Sequence, residues 1–376
     1  TLSEGTVILS IRDPDITTIG DMNLAAERAR DSPFFDCKSF LRVHLKGCTK
    51  LTSVGTGAFA ACSSLTSVVL PDSLTQLGEG AFNRTSLTSV MLPDSLTQLS
   101  MAAFGECTSL TSVVLPDSLT QMGEQAFGYC SSLTSVVMPD SLTQLGNGAF
   151  FECSSLTSVV IPDSLMQVGN SAFAKCTSLT SVVFPNSLTQ LGRQAFGGCS
   201  SLTSMVMPNS LTQVGDAAFG GCSSLTSVVL PDSLTQIGKQ AFQDCTSLTS
   251  VVLPDSLTLI GQEAFIGCSS LHSVILPDSA TLGVYVFDEC HALRQKAALA
   301  GFDSVELYLR DRYISITLRK LVLRLLRKYN RAVNDADGTE AQKHASALAR
   351  FPPGESGTLE VGLFLQKMNI EGGDGV

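Results

Sequence analysis

Apolar positions along this chain recur with a period longer than that of any single helix or strand. The string LTSVVLPDSLTQLGEGAF at 65–82 returns with small changes through most of the sequence. Its phenylalanines are Phe59, Phe82, Phe104, Phe127, Phe150, Phe173, Phe196, Phe219, Phe242, Phe265 and Phe287, spaced 23 residues apart except for steps of 22 at Phe82 to Phe104 and at Phe265 to Phe287. Prolines keep the same beat, from Pro71, Pro93 and Pro116 to Pro277. A fixed period of this size marks stacked supersecondary units, none of which can bury its own apolar face alone.

Within one unit, Leu65, Val68 and Leu70 fit the spacing L-x-x-L-x-L and are expected to point inward, with Thr66 and Val69 outward. Pro71 removes a backbone donor and stops the strand, and Asp72-Ser73 supplies turn chemistry. Leu74 and Leu77 re-enter the core through a second short strand, Gly78 is read as a bend, and Ala81 and Phe82 fill the interior. At ~4.8 Å between strands, the roughly eleven units from 41 to 293 span on the order of 50 Å.

The L-x-x-V-x-L-P strand, the S-L-T-x-L/I/V-G segment and the A-F-x-x-C-x-x-L closure resemble the BspA-type leucine-rich repeat. The resemblance covers about two thirds of the chain and implies a leucine-rich-repeat solenoid, mainly β, with a parallel strand ladder. For function it implies scaffolding or adhesion without selecting between them, since a fold does not fix a function. The organisation expected is an N-terminal cap with atypical repeats over 1–50, the solenoid over 51–293, and a non-repeat, mostly helical region over 294–376 with a flexible end. In the first part, 16–24 echo the S-L-T-Q-L-G segment, the charged insertion 25–32 reads as a polar cap, and the next unit centres on Phe35, Cys37 and Leu41.

Stacking turns each repeat position into a column. The cysteines from Cys107 through Cys268, with Cys62 before and Cys290 after, are read as buried thiols acting as small hydrophobes, because no C-x-x-C pair is present. The Asp column (Asp72, Asp94, Asp117, Asp140, Asp163, then Asn186 and Asn209, then Asp232, Asp255 and Asp278) is read as turn chemistry rather than a calcium row. The Ser column from Ser73 to Ser279 reads as a ladder that satisfies loop backbone groups. Outward on the strand, Val69, Met91, Val114, Val137, Val160 and Val183, continued by Val206, Val229, Val252 and Ile275, form an apolar ribbon on the concave face. Such ribbons mark contact surfaces, and these valines also have the β-propensity a strand needs. Variation gathers at the G-x-x-A-F-x-x-C positions, among them Glu124-Gln125, Arg193-Gln194, Tyr129, Phe151 and Lys175. Those edges either discriminate among partners or vary because nothing constrains them.

Past the array, His291 to Ala300 reads as a short helix ended by Gly301, and Asp303 with Glu306 as the capped start of another. Residues 313–317 could form a strand. From Leu318, the positions Leu318, Leu321, Val322, Leu325, Leu326, Tyr329 and Val333 share one helical face, and Arg319, Lys320, Arg324, Arg327, Lys328 and Arg331 occupy the other. Three readings of this basic amphipathic segment stand open: a cap on the solenoid end, a dock for an acidic partner, or contact with an anionic membrane surface or nucleic acid.

Composition sharpens this picture. Of 376 residues, 44% are apolar and 15% charged, which permits a large core and is unlike disorder. The net charge of −10 is unevenly placed: residues 51–290 hold 17 acidic side chains and four basic ones, Arg84, Lys175, Arg193 and Lys239. Such a body is the wrong sign for phosphate, so no nucleic-acid partner is expected. No run of 18 apolar residues occurs, so no transmembrane helix is expected. The chain begins with Thr1, which reads as a processed or truncated start. The histidines His44, His272, His291 and His344 lack metal-ligand spacing, and no phosphate loop or nucleophile motif appears. No catalytic residue, cofactor or metal is expected. Asn83-Arg84-Thr85 matches a glycosylation sequon in the one unit lacking the cysteine. The expectation is a non-enzymatic protein–protein interaction scaffold or structural subunit of a larger, multi-subunit assembly, in an intracellular or organellar setting. The alternative is a cell-surface adhesin.

Overall fold

Two short strands form in nearly every repeat where buried and exposed side chains alternate, the unit around Ser135 having only a bridge in place of the first, and their stacking makes a parallel β-solenoid. The computed structural model describes residues 7–10, 15–20, 34–277 and 279–311. The first strand of a unit is Ser-Val-Val or a close variant, as at Ser158–Val160, with its central residue buried. The second is Gln-Leu or a variant, as at Gln144–Leu145. Partners lie in exact repeat register: Val160 pairs with Val183, and Gln167 with Gln190. The atypical first units join the same ladder, β1 (Val7–Ser10) pairing with β3 (Phe40–His44), and β2 (Thr18–Ile19) with β4 (Ser53–Val54), all parallel.

The interior is one continuous column of side chains. Twelve phenylalanine rings, from Phe34 to Phe287, stack with centroids 5.2–5.7 Å apart and planes within 11° of parallel. Phe34, not Phe35, heads the stack, because the A-F-x-x-C spacing runs back from Cys37. Beside the rings lie the thiols. Each donates to the phenylalanine carbonyl of the preceding unit, as Cys130 to Phe104 and Cys153 to Phe127, both at 3.2 Å. In the unit without cysteine, Thr85 takes the place: its hydroxyl reaches the Phe82 carbonyl at 3.0 Å and the Cys107 Sγ at 3.2 Å.

Hydroxyls stitch the strand side. Ser141 donates to the Leu119 carbonyl (2.7 Å) and Ser233 to that of Leu211 (2.7 Å), as expected for the serine column, although these serines are half-buried rather than buried. The turn after each proline is closed by backbone, Leu142 N–H to Pro139 O at 3.0 Å, and the aspartate between them stands exposed.

The loop edge is held differently. In every full unit two residues adopt left-handed backbone: the third residue of G-x-x-A-F and the one before the cysteine, as Gln125 (φ 50°) and Tyr129 (φ 63°). Both, and the phenylalanine between them, donate backbone N–H to the next unit: Gln125 to Asn147 O, Phe127 to Ala149 O and Tyr129 to Phe151 O. The glycine before this loop serves close approach rather than a bend. A Cβ on Gly146 would lie 2.5 Å from the Gly123 carbonyl carbon.

After the last rung come α1 (His291–Leu299) and α2 (Val305–Asp311). The first ends as expected, at Gly301 with φ +83°. The second is capped by Ser304, whose Oγ accepts the Leu307 N–H at 3.1 Å, and not by Asp303. Leu293, Ala297, Val305 and Leu309 are buried in the same core as the rungs, so this helix pair meets the end of the solenoid. The charged insertion 25–32, the basic segment 318–333 and the rest of 312–376 lie outside the described residues.

Candidate protein-interaction surface

The outward strand column begins half-buried at Val69 and then runs through Met91 at 70% exposure, Val114 at 55%, Val137 at 82%, Val160 at 62% and Val183 at 41%. Five consecutive rungs thus present an apolar side chain to solvent. Further on the column changes: Val206, Val252 and Ile275 are half-buried and Val229 is buried. The apolar ribbon expected over ten rungs is therefore well exposed over five. Beside it, the hydroxyls of Thr111, Thr134 and Thr180 donate to the carbonyls of Thr88, Thr111 and Thr157 at 2.9–3.2 Å. They are committed to the ladder.

Three residues beyond each ribbon position stands the turn residue, an aspartate except at Asn186 and Asn209. Asp94, Asp117, Asp140 and Asp163 are all exposed. The four basic side chains of 51–290 all sit elsewhere, at the variable loop edge. There Arg84 pairs with Glu106 (2.7 Å), Lys175 pairs with Glu152 (2.6 Å), and the Lys175 ammonium also lies 5.2 Å from the Phe151 ring centre. The hydrogen bonds that Arg84 donates to Glu106 raise its guanidinium above its ordinary range. The loop edge carries both signs, whereas the strand and turn columns of 51–290 carry no basic side chain. The sequence carried this signal in the positions of Arg84, Lys175, Arg193 and Lys239, all within G-x-x-A-F-x-x-C segments.

Other candidate sites recede. Burial pushes the Cys107 thiol up to about 11 and those of Cys176 and Cys222 up to about 12, so these sulfurs stay protonated and unreactive at neutral pH. The Asn83 amide donates to the Gly105 carbonyl (2.9 Å), and Thr85 of the same sequon is buried in the thiol column. A polar groove of about 580 Å³, lined by Ser53, Thr56, Thr75, Gln76, Thr97 and Gln98, opens beside the second strands of the early units. Arg319, Lys320, Arg324, Arg327, Lys328 and Arg331 lie outside the described residues. Among the described residues no helix is long and apolar enough to cross a membrane.

The model of the BspA-type leucine-rich repeat region matches residues 28–157 and 167–294, in six copies. Among solved structures, a leucine-rich repeat protein from Bacteroides ovatus is similar at 27% identity and a TM-score of 0.56, covering 81% of this chain and 95% of its own. A leucine-rich repeat protein from Eubacterium ventriosum is similar at 20% identity and a TM-score of 0.51, covering 76% and 77%. The second likeness speaks to the fold alone. No curated protein matches the chain.

Proposed function

The chain belongs to the BspA-type leucine-rich repeat family, and from that premise we propose that it is a non-enzymatic protein-binding scaffold, a structural subunit of a larger assembly, whose contact surface is the ribbon Val69, Met91, Val114, Val137, Val160 and Val183. The observation that carries this reading is the run of five apolar side chains, 41–82% exposed, on consecutive rungs. Met91 pairs in register with Val114 and Val160 with Val183, and Val137 follows a bridge from Ser112 to Ser135, so a partner meets a surface that is largely ordered. Little conformational entropy is then lost on binding. Contiguous apolar area of this kind on a soluble body is a contact surface or an aggregation hazard, and the acidic row beside it keeps copies of the chain apart by like-charge repulsion.

The ribbon scarcely varies from rung to rung, which suits an extended or helical partner lying along the solenoid axis better than one recognised by a pattern of different side chains. The basic residues Arg319, Lys320, Arg324, Arg327, Lys328 and Arg331 make a second contact element in this proposal.

The test is site-specific photo-cross-linking in cells that make the protein. A photoreactive phenylalanine replaces Val137 in one variant and Gln125, on the loop edge, in another. The reading expects one defined protein adduct from position 137 and none from position 125. Adducts from position 125 alone, or from neither position, would overturn it.

A further inference from the structure

We propose that Cys37 and Cys62 form a redox site that a low-molecular-weight disulfide converts to a protein disulfide, and that Thr85 separates this pair from the thiols behind it. The pair stands at the N-terminal end of the thiol column and is independent of the ribbon.

Cys37 holds in its unit the place that Cys62 holds in the next. The Phe34 and Phe59 rings stack with centroids 5.2 Å apart. The Asp36 N–H donates to the Ala60 carbonyl at 2.9 Å, the bond that Ala61 makes to Asn83 one rung on. Register between positions 37 and 62 is fixed by these contacts. The Cys62 thiol donates to the Phe34 carbonyl at 2.9 Å, and the Cys37 N–H donates to the same carbonyl at 3.2 Å. The two cysteines therefore meet at one oxygen atom. Adjacent rungs lie ~4.8 Å apart, inside the Cα separation of roughly 4.4–6.8 Å that a disulfide accepts.

The same spacing runs along the whole column, so access and slack single out this pair. Cys37 is half-buried, whereas Cys62, Cys107 and every later thiol of the column are buried. Phe34 and Cys37 pack against the core without being enclosed in it. A bridge draws two Cβ atoms about 1 Å closer than the rung spacing, and a partly enclosed unit can yield by that much. An oxidant in solution meets Cys37 first.

Behind Cys62 the column is broken. Thr85 fills the next rung, buried, with its hydroxyl against the Phe82 carbonyl and the Cys107 sulfur. Cys62 and Cys107 are two rungs, about 10 Å, apart. That exceeds the roughly 7 Å beyond which two cysteines cannot be bridged. Exchange proceeds by a thiolate attacking a disulfide sulfur, and a hydroxyl cannot relay it. The nine thiols from Cys107 to Cys290 stay reduced while the pair oxidises.

In the first step the Cys37 thiolate attacks one sulfur of the small disulfide, whose S–S bond breaks to release one small thiolate. In the second, the Cys62 thiolate attacks the Cys37 Sγ and displaces the other. Each leaving thiolate takes up the proton that an attacking thiol gave up. Two protein thiols are oxidised, and one small disulfide is reduced to two thiols. Burial pushes the Cys62 thiol up to about 11, so the second step quickens as pH rises from neutrality. The product joins positions 37 and 62 and fastens the Phe34 unit to the array.

The experiment uses the full chain, reduced, freed of reductant and incubated with oxidised glutathione. It is then unfolded in excess iodoacetamide, and its non-reduced peptides are mapped by mass spectrometry. The expected result is a Cys37–Cys62 bridge in the monomer, reversed by dithiothreitol, with two of the twelve cysteines unblocked. Amide exchange over 40–48 should slow about tenfold in the bridged form. Cys62→Thr copies the occupant that Thr85 makes acceptable one rung on, and is expected to leave only a glutathione adduct on Cys37. Thr85→Cys restores the missing rung and is expected to bring Cys107 into bridged products. Circular dichroism checks that both variants are folded. Twelve thiols still free, bridges within Cys107–Cys290 of the unaltered chain, or links only between two chains would each overturn the site. Cys107 still reduced in folded Thr85→Cys would overturn the separating role of Thr85.

Discussion

The strand side and the loop edge of each unit are both laddered to their neighbours, yet one hardly varies in sequence and the other varies freely. On the strand side, side chains do much of the bonding. Threonine and serine hydroxyls donate to carbonyls of the preceding unit, as Thr111 to Thr88 and Ser141 to Leu119. A change of residue there removes a bond. At the loop edge every unit is bonded through backbone N–H groups of residues such as Gln125, Phe127 and Tyr129, and side chains add to this only in some units, as where Asn147 and Asn170 accept the N–H of Asn170 and Arg193. Side chains between those bonds can be Glu, Lys, Arg, Tyr or Gly without breaking a rung. The comparison teaches that sequence variation along this solenoid marks backbone self-sufficiency first. Uniformity on the strand side, in turn, does not argue against a contact surface, because the ladder already demands it.

Four outcomes probe this comparison, beginning with the interior that both sides share. The thiols of Cys107, Cys176 and Cys222 have folded values of about 11, 12 and 12 against an ordinary value of 9.0. A raised value means that the folded state holds the proton more tightly. Their contribution is complete below pH 9 and is lost as pH rises toward the folded values. At about 1.4 kcal/mol per pH unit per thiol, these three remove roughly 8 kcal/mol by pH 11. Denaturant midpoints measured across pH should be flat from 7 to 8.5 and fall steeply above 9. A flat profile to pH 11 would mean the column is open to solvent.

Next, Phe150→Ala removes one ring from the stack and should destabilise by about 3–5 kcal/mol in urea unfolding. Gly146→Ala forces a Cβ to within 2.5 Å of the Gly123 carbonyl carbon. It should destabilise by about 1–3 kcal/mol through overpacking, and a neutral result would show that neighbouring units can separate at this seam.

The smallest pair sets the two sides directly against each other. Ser141→Ala deletes a hydroxyl rung and should lower stability by about 1 kcal/mol. Gln125→Gly relieves a left-handed residue at φ 50° and keeps its backbone bond, so it should raise stability by about 0.5–1 kcal/mol. Opposite signs in thermal unfolding support the comparison, whereas equal signs break it.

Much of this architecture was legible from period and spacing. The inward Leu-Val-Leu pattern, the proline stop, the second strand and the buried thiol column all follow from alternation within a fixed repeat. The two left-handed positions per unit were hidden because glycine occupies them only here and there, as at Gly57, Gly80 and Gly148 or at Gly198, Gly221 and Gly267. Elsewhere inter-unit bonding holds a non-glycine residue in that conformation against its preference. Gly78 and its equivalents look like bend residues in one unit, and only stacking reveals the close backbone approach. Phe34 and Phe35 are adjacent phenylalanines in an atypical unit, and the register back from Cys37 decides between them. Ser304 displaced Asp303 as a cap because helix starts are set by local geometry one residue at a time. On the surface, the ribbon was legible as alternation, but its division into an exposed half and a more buried half was not. Exposure depends on what packs across neighbouring units.

The central claim is that the strand face, not the loop edge, meets the partner, and native co-fractionation of two matched variants tests it most directly. One carries serine in place of Met91, Val114, Val137, Val160 and Val183. The other carries serine in place of Glu79, Glu124, Asn147, Asn170 and Arg193. With equal thermal midpoints for both, the account predicts that the first migrates as a free monomer and the second remains in the large assembly of the unmodified chain. Retention of the first variant in that assembly, with loss of the second, would contradict it.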